Sequence, residues 1–197
     1  RQRLGTQLLD WLAEELSRST ATWKVIGNQV IFSYLNWGFE PGFTINLDSW
    51  DGYPGEQRAL ADLIDSLENV VFITGDTHTS WAFEVTTDPF NSYDSASGAG
   101  AIAVEFGATS INSGNSNERM STEAVLAHEA KISSAEINPH LRYVNMRDHG
   151  YLLLSLEPTA ATASWHFVET LRERNRNMTE GNRLQVKIGE TRLRQVD

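Results

Sequence analysis

The segment Val70-Val71-Phe72-Ile73-Thr74 ends abruptly in Gly75-Asp76-Thr77-His78-Thr79-Ser80-Trp81, and it constrains the fold more than any other. A short apolar run rich in β-branched side chains, without polar alternation, reads as a strand buried on both faces. Such strands belong to layered α/β proteins, whose ligands collect in the crevice beyond the strand carboxyl ends. Gly75 permits a sharp turn there, and Asp76 and His78 follow at i and i+2. A carboxylate oxygen and an imidazole nitrogen aimed into one crevice suit a metal cation that takes further ligands from other loops. The same residues also fit an aspartate that opens a turn beside a surface histidine, and local pattern leaves both readings open.

The flanking segments extend the layered pattern. Residues 2–18 carry Leu4, Leu8, Trp11, Leu12 and Leu16 at helical spacing, and Trp23–Gly27 reads as a strand. A second helix is expected from Pro54 to Leu67, with the proline in its first turn and Leu60, Leu63, Ile64 and Leu67 facing inward. Helix-strand-loop repeated twice predicts α/β layers with short connections. Beyond it, 81–85, 101–106, 151–156, 163–168 and 184–188 read as strands, and 118–132 as a helix. Residues 36–53, 86–100 and 107–118 read as loops. There is no internal repeat and no long linker, so residues 1–197 are expected to form a single domain.

Composition narrows the function classes. The net charge is −10, and Arg172, Arg174 and Arg176 are interrupted by Glu and Asn, so the chain lacks the basic stripe that duplex nucleic acid requires. An anionic substrate stays open, because bound cations reverse the local field. With no cysteine, disulfides, zinc-thiolate sites, iron–sulfur clusters and thiol nucleophiles are all excluded. No run approaches the ~18 apolar residues of a membrane helix. Ser80 lies near His78, yet there is no Gly-x-Ser-x-Gly elbow, nor any Walker or dinucleotide glycine pattern. The chain begins at Arg1 inside a helical pattern and is expected to be a processed product or a fragment.

Other candidates lie near predicted strand ends. Asn28 and Gln29 follow the Trp23–Gly27 strand; if that strand neighbours Val70–Thr74, they converge with Asp76 and His78, and otherwise they are turn residues. His140, in Asn138-Pro139-His140, and His149, in His149-Gly150-Tyr151, are loop histidines that either contact phosphate or serve no chemistry. His128 reads as surface, and His166 as part of a half-exposed sheet face. Trp37, Trp50 and Tyr53 fit an aromatic platform for a sugar ring, whereas Trp11, Trp23 and Trp165 read as core.

Taken in order, Leu4-Gly5-Thr6-Gln7 with Trp11-Leu12, Trp23 to Val30, Asp48-Ser49-Trp50-Asp51-Gly52-Tyr53-Pro54, Thr74 to Trp81, Val104-Glu105-Phe106, Asn138-Pro139-His140 and Gly150-Tyr151 resemble the alkaline phosphatase D (PhoD-like) branch of the metallophosphatases. The resemblance covers roughly residues 4–156. It implies two packed mixed β-sheets flanked by helices, of which this chain is the carboxyl-terminal half, and two-metal hydrolysis of phosphate mono- and diesters. In the wider class the positions of Asp76 and Asn28 are often histidine; oxygen donors there favour hard cations such as calcium over zinc. The resemblance implies a calcium–iron pair, with Asp76 on the calcium side, His78 on the iron side, and Asn28 and Gln29 lining the site.

It further makes His140 and His149 candidates for a phosphate or leaving-group contact, although many relatives carry arginine at the position of His149. Trp50, Asp51 and Tyr53 are candidates for a substrate loop. The family's upstream metal motifs are absent here, so the chain is expected to need the upstream half, in the same or another chain, and to be inactive alone. Open strand edges and an exposed apolar face are expected from the same loss. Secretion or a periplasmic location is implied by the resemblance alone. The competing expectation is a non-catalytic metal- or carbohydrate-binding module on the same scaffold.

Overall fold

A computed structural model describes residues 1–39 and 45–197. Residues 40–44, within the loop expected over 36–53, lie outside them. Among the described residues three α-helices, α1 (Thr6–Arg18), α2 (Pro54–Ile64) and α3 (Thr122–Ile132), accompany two sheets. The first sheet contains β1 (Lys24–Gly27), β2 (Val70–Thr74), β3 (Ser80–Thr86), β4 (Ala101–Gly107) and β5 (Leu141–Asn145), in the order β1-β2-β4-β3-β5. Its strands β1, β2 and β4 run parallel, and β3 is antiparallel to both β4 and β5. The second sheet, β6 (Gly150–Leu156), β7 (Ala160–Val168), β8 (Met178–Lys187) and β9 (Arg194–Gln195), is antiparallel in sequence order.

The apolar run behaves as its composition dictates. Val71 packs with Ala82, Val104 and Phe106 against Ala161, Ala163 and Trp165 of the second sheet. On the opposite face, Val70 and Phe72 pack with Leu60, Ala61 and Ile64 of α2. Because side chains alternate along a strand, β2 needs apolar residues at consecutive positions to fill both layers. Each fully buried side chain of this kind contributes about 1.5–3 kcal/mol. The fold is therefore α/β, a two-sheet sandwich with helices against its first sheet. The two sheets are also joined by a hydrogen bond, Trp165 Nε1 donating to the Gly107 carbonyl at 2.9 Å.

Two buried carboxylates tie loops to the first sheet. Glu105 of β4, with no exposure, accepts the backbone N–H groups of Phe32 (2.8 Å) and Ser33 (2.7 Å), and burial pushes its pKa up. Glu84 of β3 accepts from Tyr93 Oη (2.6 Å) and Leu193 N (2.8 Å) and pairs with Arg192 (3.1 Å) and Arg142 (3.6 Å).

Boundaries depart from expectation where tertiary contacts outweigh local pattern. Helix α3 starts at Thr122, not 118, because 116–118 forms a separate 3-10 turn and the Ser121 hydroxyl caps Ala124 N. Strand β8 begins at Met178, six residues before the apolar run, because its polar segment pairs with β7 from Val168 onward. Trp11 is 55% exposed and Leu8 44%, so the stripe on α1 is only partly covered and Trp11 is not core. Among the described residues β1 pairs only with β2, and β6 only with β7, so both are edge strands. Val25, Tyr151, Leu153 and Leu156 are exposed along those edges. Between them runs an apolar groove of about 610 Å³ floored by Ile73, Ala108, Leu152 and Leu154.

Candidate functional site

Strand β2 ends at Thr74, and the Thr77 N–H donates to the Gly75 carbonyl at 2.9 Å, closing a tight turn. The strain of that turn does not fall on the glycine. Asp76 has φ 72° and His78 φ 59°; among the described non-glycine residues only Asn69 joins them in the left-handed region. Such conformations cost on the order of 1–3 kcal/mol each and persist only where the surroundings enforce them. Here the enforcement comes from below. The fully buried Trp81 directs its indole N–H at the hydroxyls of Thr79 (2.6 Å) and Thr77 (3.0 Å). The Thr109 hydroxyl lies 3.1 Å from the His78 carbonyl and 2.8 Å from that of Asp148. Ser80 is fully buried, its hydroxyl without a hydrogen-bond partner, and presents no nucleophile.

The held turn leaves both side chains exposed. His78 Nδ1 lies 3.0 Å from the Gly114 carbonyl oxygen. A carbonyl only accepts, so Nδ1 carries the proton and Nε2 keeps its lone pair, the arrangement of a metal-binding imidazole oriented by a backbone partner. Asp76, two residues away, offers an exposed carboxylate. Among the described residues no group of three or more His, Cys, Asp or Glu side chains could hold a metal.

Strands β1 and β2 are parallel neighbours, and the Asn28 N–H donates to the Ile73 carbonyl at 2.9 Å. The turn after β1 therefore lies beside the turn after β2. Asn28 is engaged at both ends of its amide: Nδ2 donates to the Val30 carbonyl (2.7 Å) and Oδ1 accepts from Trp50 Nε1 (3.2 Å). Gln29 is exposed, and both residues line the apolar groove.

The family model for PhoD-like phosphatases matches residues 1–165. The chain belongs to the PhoD-like phosphatase family. Alkaline phosphatase D of Bacillus subtilis (strain 168) is 34% identical over 163 residues, covering 80% of this chain and 25% of that protein. A solved structure described as that of PhoD superposes with a TM-score of 0.81 at 28% identity, covering 98% of this chain and 35% of that one. The chain thus spans a quarter of the curated relative and about a third of the solved one. Structural likeness to PhoD also extends past residue 165, where the family match ends, into the second sheet.

Within this PhoD-like frame, several expected site residues are structural. Trp50 is 2% exposed, edge-on to Phe32 at 5.3 Å, and forms core with Leu60 and Phe72. Trp37 packs edge-on against Trp81 at 5.4 Å, and Tyr53 lies under the Arg1 guanidinium at 4.5 Å. No sugar platform exists among these rings, because their faces meet protein. Asp51 accepts the Leu35 N–H at 3.1 Å, and burial, with a lesser push from Glu105, raises its pKa to about 7. Trp50 is a wall of the core, whereas Asp51 and Tyr53 remain half-buried.

His140 is a core residue. It precedes β5 at the end where Leu141 faces Phe83, whereas Asn145, at the other end, faces Ser80 beside the Asp76 turn. It is fully buried, Nε2 donates to the Tyr34 carbonyl at 2.9 Å, and burial pushes its pKa down to about 4. Placed there, it does not reach phosphate at the Asp76 turn. His149 lies nearer but is also largely buried, with Nδ1 3.0 Å from Ser110 Oγ and Nε2 3.4 Å from Glu118 Oε1. It lines a polar cleft of about 560 Å³ with Arg147 and Arg172, and it adjoins His78 only through the 109–118 loop. His128, expected at the surface, is half-buried and stacks on Phe39 at 4.7 Å. His166 lies half-buried against Tyr151 as expected for a sheet face.

Three contributors escaped the sequence reading. Thr109 and Gly114 hold His78, and Arg119 lines a pocket of about 160 Å³ with Thr77, His78 and Gly114. All three come from a Gly/Ser/Asn-rich loop without spacing or periodicity. Only the tertiary turn back toward His78 gives them meaning.

Proposed function

We propose that this chain supplies part of a dinuclear metal site that hydrolyses phosphate mono- and diesters, with Asp76 and His78 as its ligands. The observation that carries the reading is the turn itself: two ligand-type residues, two positions apart, in left-handed backbone, one with its imidazole already oriented by the Gly114 carbonyl. Left-handed backbone at both donors of one turn, within a PhoD-like chain, supports a metal-binding role.

A calcium–iron pair, when bound, supplies a nucleophile from water and neutralises charge on the phosphoryl oxygens. Asp76 offers a hard carboxylate oxygen to the calcium side, and His78 offers Nε2 to the iron side. Arg119 lines the His78 pocket and presents a guanidinium there to hold a phosphate oxygen. Asn28 and Gln29 shape the neighbouring wall without lending a freed amide from Asn28. The remaining ligands come from the part of a PhoD-like catalytic domain that this chain does not span, seated on the open β1 and β6 edges. No helix among the described residues is long and apolar enough to cross a membrane. Export to the periplasm or medium is part of the proposal.

The test is hydrolysis of a phosphate monoester and a diester, with calcium and iron supplied, by this chain alone and with the remainder of the catalytic domain added. Activity only in the completed sample, lost in Asp76→Ala and His78→Ala, is expected. Metal binding without turnover in the completed sample would make the chain a non-catalytic module and overturn the proposal.

A further inference from the structure

We propose that His149, held between Ser110 and Glu118, is a positioning residue that keeps His78 aimed at its metal, acting through the 110–118 loop. The inference rests on the metal-centre reading above. His78 takes its orientation from the Gly114 carbonyl, and Gly114 sits in an exposed loop that has to be held from elsewhere. Downstream, the loop is anchored: Asn115 Nδ2 donates to the Arg147 carbonyl at 2.9 Å, and Ser116 N donates to that of Met146 at 3.2 Å. Upstream, the anchor is His149.

The protons settle how. The Ser110 hydroxyl lies 2.5 Å from the Ser113 carbonyl, which can only accept, so its single hydrogen goes there. His149 Nδ1, 3.0 Å from Ser110 Oγ, is then the donor, and Ser110 Oγ accepts. On the far side of the ring, Nε2 faces Glu118 Oε1 at 3.4 Å; a carboxylate only accepts, so the brace is the imidazolium form, with a hydrogen on each ring nitrogen. The other oxygen of Glu118 lies over Gly114: a Cβ added there would stand 2.4 Å from Oε2. One imidazole therefore braces the loop on both flanks of Gly114.

The brace is rigid because its root is. The His149 carbonyl accepts from Val168 N at 2.8 Å, and Gly150 N donates to the Ser110 carbonyl at 3.0 Å. Gly150 itself has no room for a side chain, since a Cβ would lie 1.8 Å from the His166 carbonyl. The stiffness of the second sheet is thus passed through His149 to the loop that holds His78. Outer partners of ligating histidines typically change metal affinity 10–100-fold when removed; a brace one step further out is expected to give about tenfold.

The experiment uses the full-length native protein, stripped of metal and titrated with Co²⁺, followed by calorimetry and by the visible absorption of a histidine-coordinated cobalt. Glu118 is half-exposed, so Glu118→Ala tests the brace with little risk to folding, checked by circular dichroism. We expect about tenfold weaker Co²⁺ binding in Glu118→Ala and in His149→Leu, a lower kcat at nearly constant KM, and recovery in Glu118→Gln, which keeps an acceptor. Wild-type Co²⁺ affinity in both Glu118→Ala and His149→Leu, while His78→Ala abolishes the cobalt band, overturns the brace and leaves the metal centre standing. A wild-type protein whose band does not depend on His78 overturns both.

Discussion

The Nδ1 atom of His78 lies 3.0 Å from the carbonyl oxygen of Gly114, so a loop 36 residues further along the chain decides which nitrogen of the ring is left for a ligand. The same imidazole is carried on left-handed backbone, as is Asp76 two residues before it. The site is therefore built against local preference and maintained by its surroundings, and that tension has measurable consequences.

Asp76→Gly relieves the side-chain clash at φ 72°. Stability should rise by about 1 kcal/mol, offset in part by the added chain entropy of glycine, while hydrolysis by the completed domain should be lost. Denaturant midpoints and turnover of the two proteins, measured side by side, check this. A variant both less stable and inactive would place the strain elsewhere.

Arg119 stands at the His78 pocket and, among the described residues, takes part in no ion pair. Arg119→Ala should reduce kcat/KM for a phosphate ester about tenfold or more, the range of a charge-assisted hydrogen bond, and weaken inhibition by inorganic phosphate in parallel. Arg119→Lys should recover only part, because the ammonium lacks the bidentate fork. Unchanged phosphate inhibition in Arg119→Ala would remove the residue from the site.

Asp51 and His140 pull the pH dependence of stability in opposite directions. Asp51 holds its proton to about pH 7 in the folded protein and loses it near 3.8 when unfolded, so its contribution falls as pH rises through that window. His140 stays neutral down to about pH 4 when folded but protonates near 6.5 when unfolded, so its contribution is lost as pH falls from 6.5 to 4. Asp51→Asn keeps an acceptor for Leu35 N and should gain roughly 3 kcal/mol over wild type at pH 8, with little gain at pH 4. His140→Phe should flatten the acid limb. Thermal midpoints across pH 4–8 separate the two; an Asp51→Asn gain independent of pH would contradict the assignment.

Arg192 pairs with the fully buried Glu84 at 3.1 Å, leaving Arg142 as the second cation at 3.6 Å. Arg192→Ala uncovers half of that compensation and should cost about 3 kcal/mol. Hydrogen exchange at the Leu193 amide, which donates to Glu84, should accelerate with it. Protection equal to wild type would show that the tail is held by the second sheet alone.

Several elements were legible in advance because their signals are local. The apolar β2 run, the proline-led start of α2 and the Gly-Asp-x-His turn depend on neighbours within a few residues, and each stands where it was expected, although α2 ends at Ile64, three residues short of Leu67. Thr109, Gly114 and Arg119 were opaque for the opposite reason: nothing in a Ser/Gly/Asn-rich loop states where it returns. The aromatic residues misled in both directions. Trp50, in a loop, is core, and Trp11, on an amphipathic stripe, is 55% exposed, because burial is set by what packs from elsewhere and not by the element that bears the ring.

By itself the sequence determined the α/β layering, the strand that ends at Thr74 and the pair of ligand types that follows it, since hydrophobic period and turn chemistry act over short distances. Only the tertiary structure decided which residues share the site. It seated His140 in the core, turned Trp50 into a wall, and brought Gly114 and Arg119 to His78. Those placements rest on long-range packing and on buried hydrogen bonds that must be satisfied once water is excluded, and no local pattern encodes them.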